Sequence, residues 1–128
     1  MMCLSKYDIP IIITNGMPNY CVYVVIEMLI KNGNRIYYNG DYDPEGLIIA
    51  DKLKEKFPSI TLFAYTKNYY NETLSEKTLN VTRLNKLKKL KSSELNEIKA
   101  SIEHSKSPAY QENNIQNIIK ELEKLGVI

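Results

Sequence analysis

Asp41 and Asp43 are the residues of this chain best suited to do chemistry. They lie in Gly40-Asp-Tyr-Asp-Pro-Glu-Gly46, directly after the strand-like run Arg35-Ile-Tyr-Tyr-Asn39. Alternate residues of extended backbone point to the same side, so the two carboxylates can face one position. Hard cations such as Mg²⁺ or Mn²⁺ take carboxylate oxygens plus water. A cation held there would polarise a phosphate or lower the pKa of an attacking water. The same letters also spell a helix start. Asp43 suits an N-cap, Pro44 the first helical position and Glu45 the positive helix end. Capping does not account for Asp41, because a second acid beside the cap adds repulsion unless a cation or hydrogen bonds offset it.

Other candidates carry weaker signals, each with a plain structural alternative. Asn15-Gly16 ends an apolar run ahead of a helix, where a phosphate can approach a helix N-terminus or where the chain simply turns. Gly40 and Gly46 permit a tight turn around the acids. Arg83, Lys86, Lys88, Lys89 and Lys91 occur with no intervening acid and offer a phosphate-tracking surface for DNA. The alternative is a solvated face with Leu84, Leu87 and Leu90 beneath it. Glu112 reads as first-turn charge on the last helix, and His104 as a charge near a helix end. One histidine without cysteine partners excludes the usual zinc sites.

The elements that must position these groups follow from periodicity. Ile9–Thr14 is a continuous, largely β-branched run, the pattern of a strand buried on both faces. Asn19 to Asn32 places Val22, Val25, Ile26 and Leu29 on one helix face, and Gly33 suits the stop after it. Arg35–Asn39 reads as a second strand, about Pro44 to Lys56 as a helix with Leu47, Ala50, Leu53 and Phe57 inward, and Ile60–Ala64 as a third strand. Strand, helix, strand, helix, strand at this spacing predicts right-handed crossovers in a parallel sheet. Thr66 to Lys77 reads as irregular. Ser92 or Ser93 caps a helix to about His104 with Leu95, Ile98 and Ile102 on one side, and Ser105–Pro108 is a linker. A last helix from about Gln111 to Leu125 carries Ile115, Ile118, Ile119, Leu122 and Leu125. The expected organisation is a single, possibly truncated, domain over 1–128, with an α/β core over 9–65 and a helical extension over 66–128.

Composition bounds the function without choosing it. The chain has 128 residues, a net charge of +2 and ordinary apolar and charged fractions, so charge alone does not argue for nucleic acid. Cys3 and Cys21 have no metal or disulfide spacing, and Cys21 is expected to be a buried free thiol. No signal peptide or membrane-crossing stretch is visible, so a cytoplasmic protein is expected.

Pro10–Leu53 resembles a known group. The strand followed by Asp41-x-Asp43-Pro44-x-Gly46-Leu47, with Ile49, resembles the signature of Toprim domains in the A subunit of topoisomerase VI. The run Tyr38-Asn-Gly-Asp-Tyr-Asp-Pro-Glu-Gly-Leu-Ile-Ile-Ala50 is similar to bacterial Toprim proteins related to the nuclease subunit of the Wadjet plasmid-defence system. Tyr110-Gln-Glu-Asn-Asn-Ile115 resembles a Glu-Gln-Glu-x-x-Ile segment of that group. The resemblance implies a Toprim, Rossmann-like parallel sheet flanked by helices, with a helical carboxyl-terminal region. It also implies a Mg²⁺-dependent site acting on DNA, with Asp41 and Asp43 on the metal and Glu112 assisting.

One departure shapes the expectation. The resembled group carries a further glutamate on a strand upstream of Ile11–Thr14, and Asp8 is the acid nearest that place here. The chain is therefore expected either to be the carboxyl-terminal piece of a larger protein, with Met1 not its natural start, or to have lost the group. A partner chain or self-association is expected to complete the sheet. The leading expectation is Mg-dependent cleavage of DNA phosphodiesters by activated water, and the alternative a catalytically incomplete module binding DNA or protein. A third is a phosphate-binding α/β regulatory domain.

Overall fold

A computed structural model describes residues 9–14 and 16–127 of the chain. Helices dominate it. In order they are α1 (Tyr20–Lys31), α2 (Pro44–Lys56), α3 (Lys67–Glu72), α4 (Val81–Asn85), α5 (Asn96–Ser105) and α6 (Ile115–Lys124). Single 3₁₀ turns lie at Lys86–Lys89, Ser93–Leu95 and Gln111–Asn113. Two strands of two residues each, β1 (Tyr37–Tyr38) and β2 (Thr61–Leu62), pair in parallel with Tyr37 opposite Thr61 and Tyr38 opposite Leu62.

This corrects the expected architecture. Among the described residues there is no Toprim-like, Rossmann-like parallel sheet, only this pair. Ile9–Thr14 forms no strand, and Ile11, Ile12 and Ile13 are exposed. A β-branched run becomes a strand only where a neighbour supplies a ladder and packing on its faces, and none of the described residues pairs with it. The other two strands are short because their carboxyl ends leave the ladder early. Asn39-Gly40 turns toward the acidic segment, and Ala64 takes a left-handed backbone with φ of 64°.

Helical periodicity was the better guide. α1 is capped by Asn19, whose side chain accepts from the Val22 amide, and Gly33 follows with φ of 83°. Its apolar face is shallower than expected. Ile26 is buried, Val25 is exposed, and Cys21 is an exposed free thiol rather than a buried one. α2 begins at Pro44 with Asp43 as N-cap and buries Leu47, Ala50 and Leu53, with Phe57 just beyond it. Thr66 caps α3, a helix where irregular chain was expected, because Tyr70 is driven fully into the core. Leu95, Ile98 and Ile102 are completely buried beside α2's residues in one apolar cluster. Ile118, Ile119 and Leu122 of α6 join Phe63 and Ala64 in a second. Burial of apolar area at about 25 cal/mol per Å² is the main stabilising term.

Polar staples tie these pieces together. Buried Asp51 of α2 accepts from the amides of Lys91 and Ser92 at 3.1 and 2.7 Å, fixing the chain ahead of α5. Tyr42 and Ala109 exchange both backbone hydrogen bonds as an isolated antiparallel bridge, and Leu74 bridges to Ala109 as well. Among the described residues no helix is long and apolar enough to cross a membrane.

Candidate functional site

The acidic segment lies beyond the carboxyl ends of β1 and β2, the end of a parallel pair at which ligand sites are built. Tyr42 is 1 % exposed and held extended by its bridge to Ala109. Its phenol donates to the Ala64 carbonyl and accepts from Asn114 Nδ2 at 2.8 Å. With Tyr42 anchored in the core, the flanking Asp41 and Asp43 belong to the other side of the extended segment. This is how the Asp-x-Asp spacing acts, and the intervening tyrosine is the residue that sequence reasoning passed over.

Each carboxylate is fastened through one oxygen. Asp41 Oδ1 accepts from the Gln111 amide at 2.7 Å, and Asp43 Oδ1 from the Gly46 amide at 2.7 Å. Among the described residues nothing donates a hydrogen bond to Asp41 Oδ2, while Asp43 Oδ2 lies 3.6 Å from Arg83 Nη2. Burial pushes the Asp43 carboxyl above its ordinary range. The charges of Asp41 and Glu45 add to this, against the Gly46 amide and Arg83. Asp43 is thus a cap in fact, and at the same time one of two carboxylates close enough to feel each other.

Gly46 makes the turn possible by having no side chain. A Cβ there would lie 2.4 Å from the Asp41 carbonyl oxygen and 2.9 Å from Asp43 Oδ1. Gly40 has the same role toward Tyr38, whose hydroxyl would be 2.8 Å from a Cβ. Neither glycine has positive φ, so each supplies room for a close neighbour.

Arg83 grips Glu45 through two bonds of 2.9 and 2.7 Å, and Lys86 adds a third at 3.2 Å. The Arg83 guanidinium, helped by Lys86, holds the Glu45 carboxyl down to about 2. Two of the five basic candidates, Arg83 and Lys86, therefore stand at the rim of the acidic site, paired with a carboxylate. Lys88 and Lys89 are exposed. Glu112 is exposed on the 3₁₀ turn, and its neighbour Gln111 makes the contacts: its amide to Asp41, and its Nε2 to the carbonyl and Oδ1 of Asn39 at 3.0 and 3.2 Å. Gly16 is exposed with φ of 104°, ahead of α1, while Asn15 lies outside the described residues.

A ring of phenols backs the site. Burial pushes Tyr38 up to about 12, with Asp41 and Asp43 adding to the shift. Among the described residues the buried Tyr65 hydroxyl has no hydrogen-bond partner. Its surroundings are Tyr38, Tyr42, Asp41 and the Gly40 backbone, which does not reach hydrogen-bonding geometry. Among the described residues no group of three or more His, Cys, Asp or Glu side chains is arranged to hold a metal ion.

The family model described as "Protein of unknown function C-terminus (DUF2399)" matches residues 2–122. The chain belongs to the DUF2399 family. The match spans all the elements that build the acidic site of this DUF2399 member, from β1 to the Gln111 turn. No curated protein and no solved structure matches it.

Proposed function

We propose that Asp41 and Asp43 form a divalent-cation site and that the chain acts on DNA phosphodiesters by metal-dependent hydrolysis. The observation that carries this reading is the pair itself. Two carboxylates lie beyond the carboxyl ends of parallel strands, each tied down by a backbone amide through a single oxygen, so that the second oxygens are the ones that would meet a cation. Mg²⁺ and Mn²⁺ fit such oxygens. The buried Tyr65 hydroxyl without a partner supports a site built for something more than its own side chains. A bound cation would supply charge neutralisation of a phosphate and an activated water. Asp41 and Asp43 would hold it, while Gln111 orients Asp41 and the helix start orients Asp43. The motif's resemblance to the Asp pair of Toprim proteins of the topoisomerase VI and Wadjet groups supports DNA as the substrate. That likeness rests on the motif and not on a sheet.

A second reading is favoured by two specific observations. Arg83 stands 3.6 Å from Asp43 Oδ2, where it already offsets the charge, and no third acid joins the pair among the described residues. On that reading the chain is a catalytically incomplete module that binds DNA or a protein. Incubating supercoiled plasmid with the purified chain and Mg²⁺ or Mn²⁺ separates the two. Nicking or linearisation that EDTA and Asp41→Asn both abolish is the expected result. DNA retention without cleavage supports the second reading in its DNA-binding form, and neither binding nor cleavage contradicts the first reading.

A further inference from the structure

Tyr38 closes β1, and its hydroxyl turns back over Gly40. Any side chain at position 40 would meet that hydroxyl first, since the Cβ would lie 2.8 Å from Oη and 3.4 Å from Cζ. The phenol thus occupies the room left by Gly40, the residue directly before Asp41. Among the described residues nothing hydrogen-bonds Tyr38 Oη, and Tyr38 is partly buried against the core while Tyr65 is buried. Behind it the Tyr65 hydroxyl is fully buried and equally unpaired. A buried hydroxyl left unpaired has given up its hydrogen bonds to water without replacement. Two unpaired phenols beside two carboxylates make a corner rich in donors that its own acceptors do not use.

We propose that the Tyr38 hydroxyl donates a hydrogen bond to a phosphate oxygen of the ligand bound at Asp41 and Asp43, with Gly40 reserving its place and Tyr65 backing it. This rests on the cation reading of the acidic pair. A neutral phenol adds a donor there without adding negative charge, which suits an anionic ligand drawn to a cation. The role is recognition, with no bond to phosphorus made or broken by Tyr38. It also accounts for the absence of a side chain at Gly40, which the carboxylates alone do not require.

Calorimetry on the full chain tests this in two stages. Mn²⁺ is titrated first. Inorganic phosphate and a short oligothymidylate are then titrated separately in saturating Mg²⁺. Tyr38→Phe is expected to keep Mn²⁺ affinity within about twofold and to weaken phosphate-ligand binding about tenfold, the loss of one hydrogen bond to a charged acceptor. Gly40→Ala, which pushes the hydroxyl aside while leaving it chemically intact, is expected to do the same, and it carries the test should Tyr38→Phe fold poorly. A loss confined to oligothymidylate marks a nucleic-acid phosphodiester as the ligand, and a loss confined to inorganic phosphate marks the free ion. Unchanged phosphate binding in both variants overturns the inference, as does a parent chain that binds Mn²⁺ but neither probe. A parent that binds no Mn²⁺ overturns the cation reading and this inference with it.

Discussion

Asp43 is an N-cap, and the proposed cation site would give it a second job that ordinary substitutions can separate from the first. As N-cap it accepts from the Gly46 amide, and a cap exchanged for alanine costs about 0.5–2 kcal/mol. Asparagine caps about as well as aspartate. Urea denaturation should therefore show Asp43→Ala destabilised by about 1 kcal/mol and Asp43→Asn close to the parent. Equal losses in the two would contradict the capping geometry. Glu45 and Asp43 respond to acid in opposite senses. The Glu45 carboxyl is lowered from 4.5 to about 2 by Arg83, so its stabilisation is complete above about pH 4.5 and is lost as pH falls toward 2. Asp43 is raised by burial, so it binds its proton more tightly folded than unfolded, and falling pH favours the fold through it. Glu45 is 40 % exposed, and solvent screening keeps its pair modest. Urea midpoints followed against pH should show Glu45→Gln flattening the loss between about pH 4.5 and 2. Parallel profiles for parent and variant would contradict the pairing.

At the scale of elements, the contrast between helices and strands has a physical cause. A helix satisfies its own backbone, so capping residues and a 3.6-residue apolar stripe suffice to announce it, as Asn19, Asp43-Pro44 and the Leu95, Ile98, Ile102 face do. A strand depends on a neighbour the sequence does not name. Ile9–Thr14 has the composition of a buried strand, but Ile12 is 50 % exposed. Ile12→Ser should accordingly change stability by no more than about 0.5 kcal/mol, whereas Ile98→Ala, from a fully buried site, should cost about 2–5 kcal/mol. Chemical denaturation of both variants checks the pair, and a large loss at Ile12 would restore a packed role for that run. The candidate site was legible in part for the same reason. The Asp-x-Asp spacing after β1 names the carboxylates. Nothing local names Gln111 or Asn114, which reach Asp41 and Tyr42 from far along the chain, nor the pairing of Arg83 with Glu45. A tyrosine between two acids at a strand end was the one overlooked local signal, since alternation sends it inward.

The whole molecule is organised around that return of the chain. The segment from Ala109 to Asn114 closes over the acidic motif through a backbone bridge to Tyr42, an amide to Asp41 and a buried amide to the Tyr42 phenol. The site is therefore assembled by tertiary structure, with its carboxylates fixed before any ligand arrives. Preorganised oxygens of this kind would hold the proposed cation without reordering flexible side chains. The most direct test is a calorimetric titration of Mn²⁺ into the parent chain and into Asp41→Asn and Asp43→Asn, which keep an oxygen for the Gln111 and Gly46 amides. Saturable binding by the parent that disappears in both folded variants is the result the cation site predicts. A parent that takes up no Mn²⁺, or variants that bind it as the parent does, would contradict it.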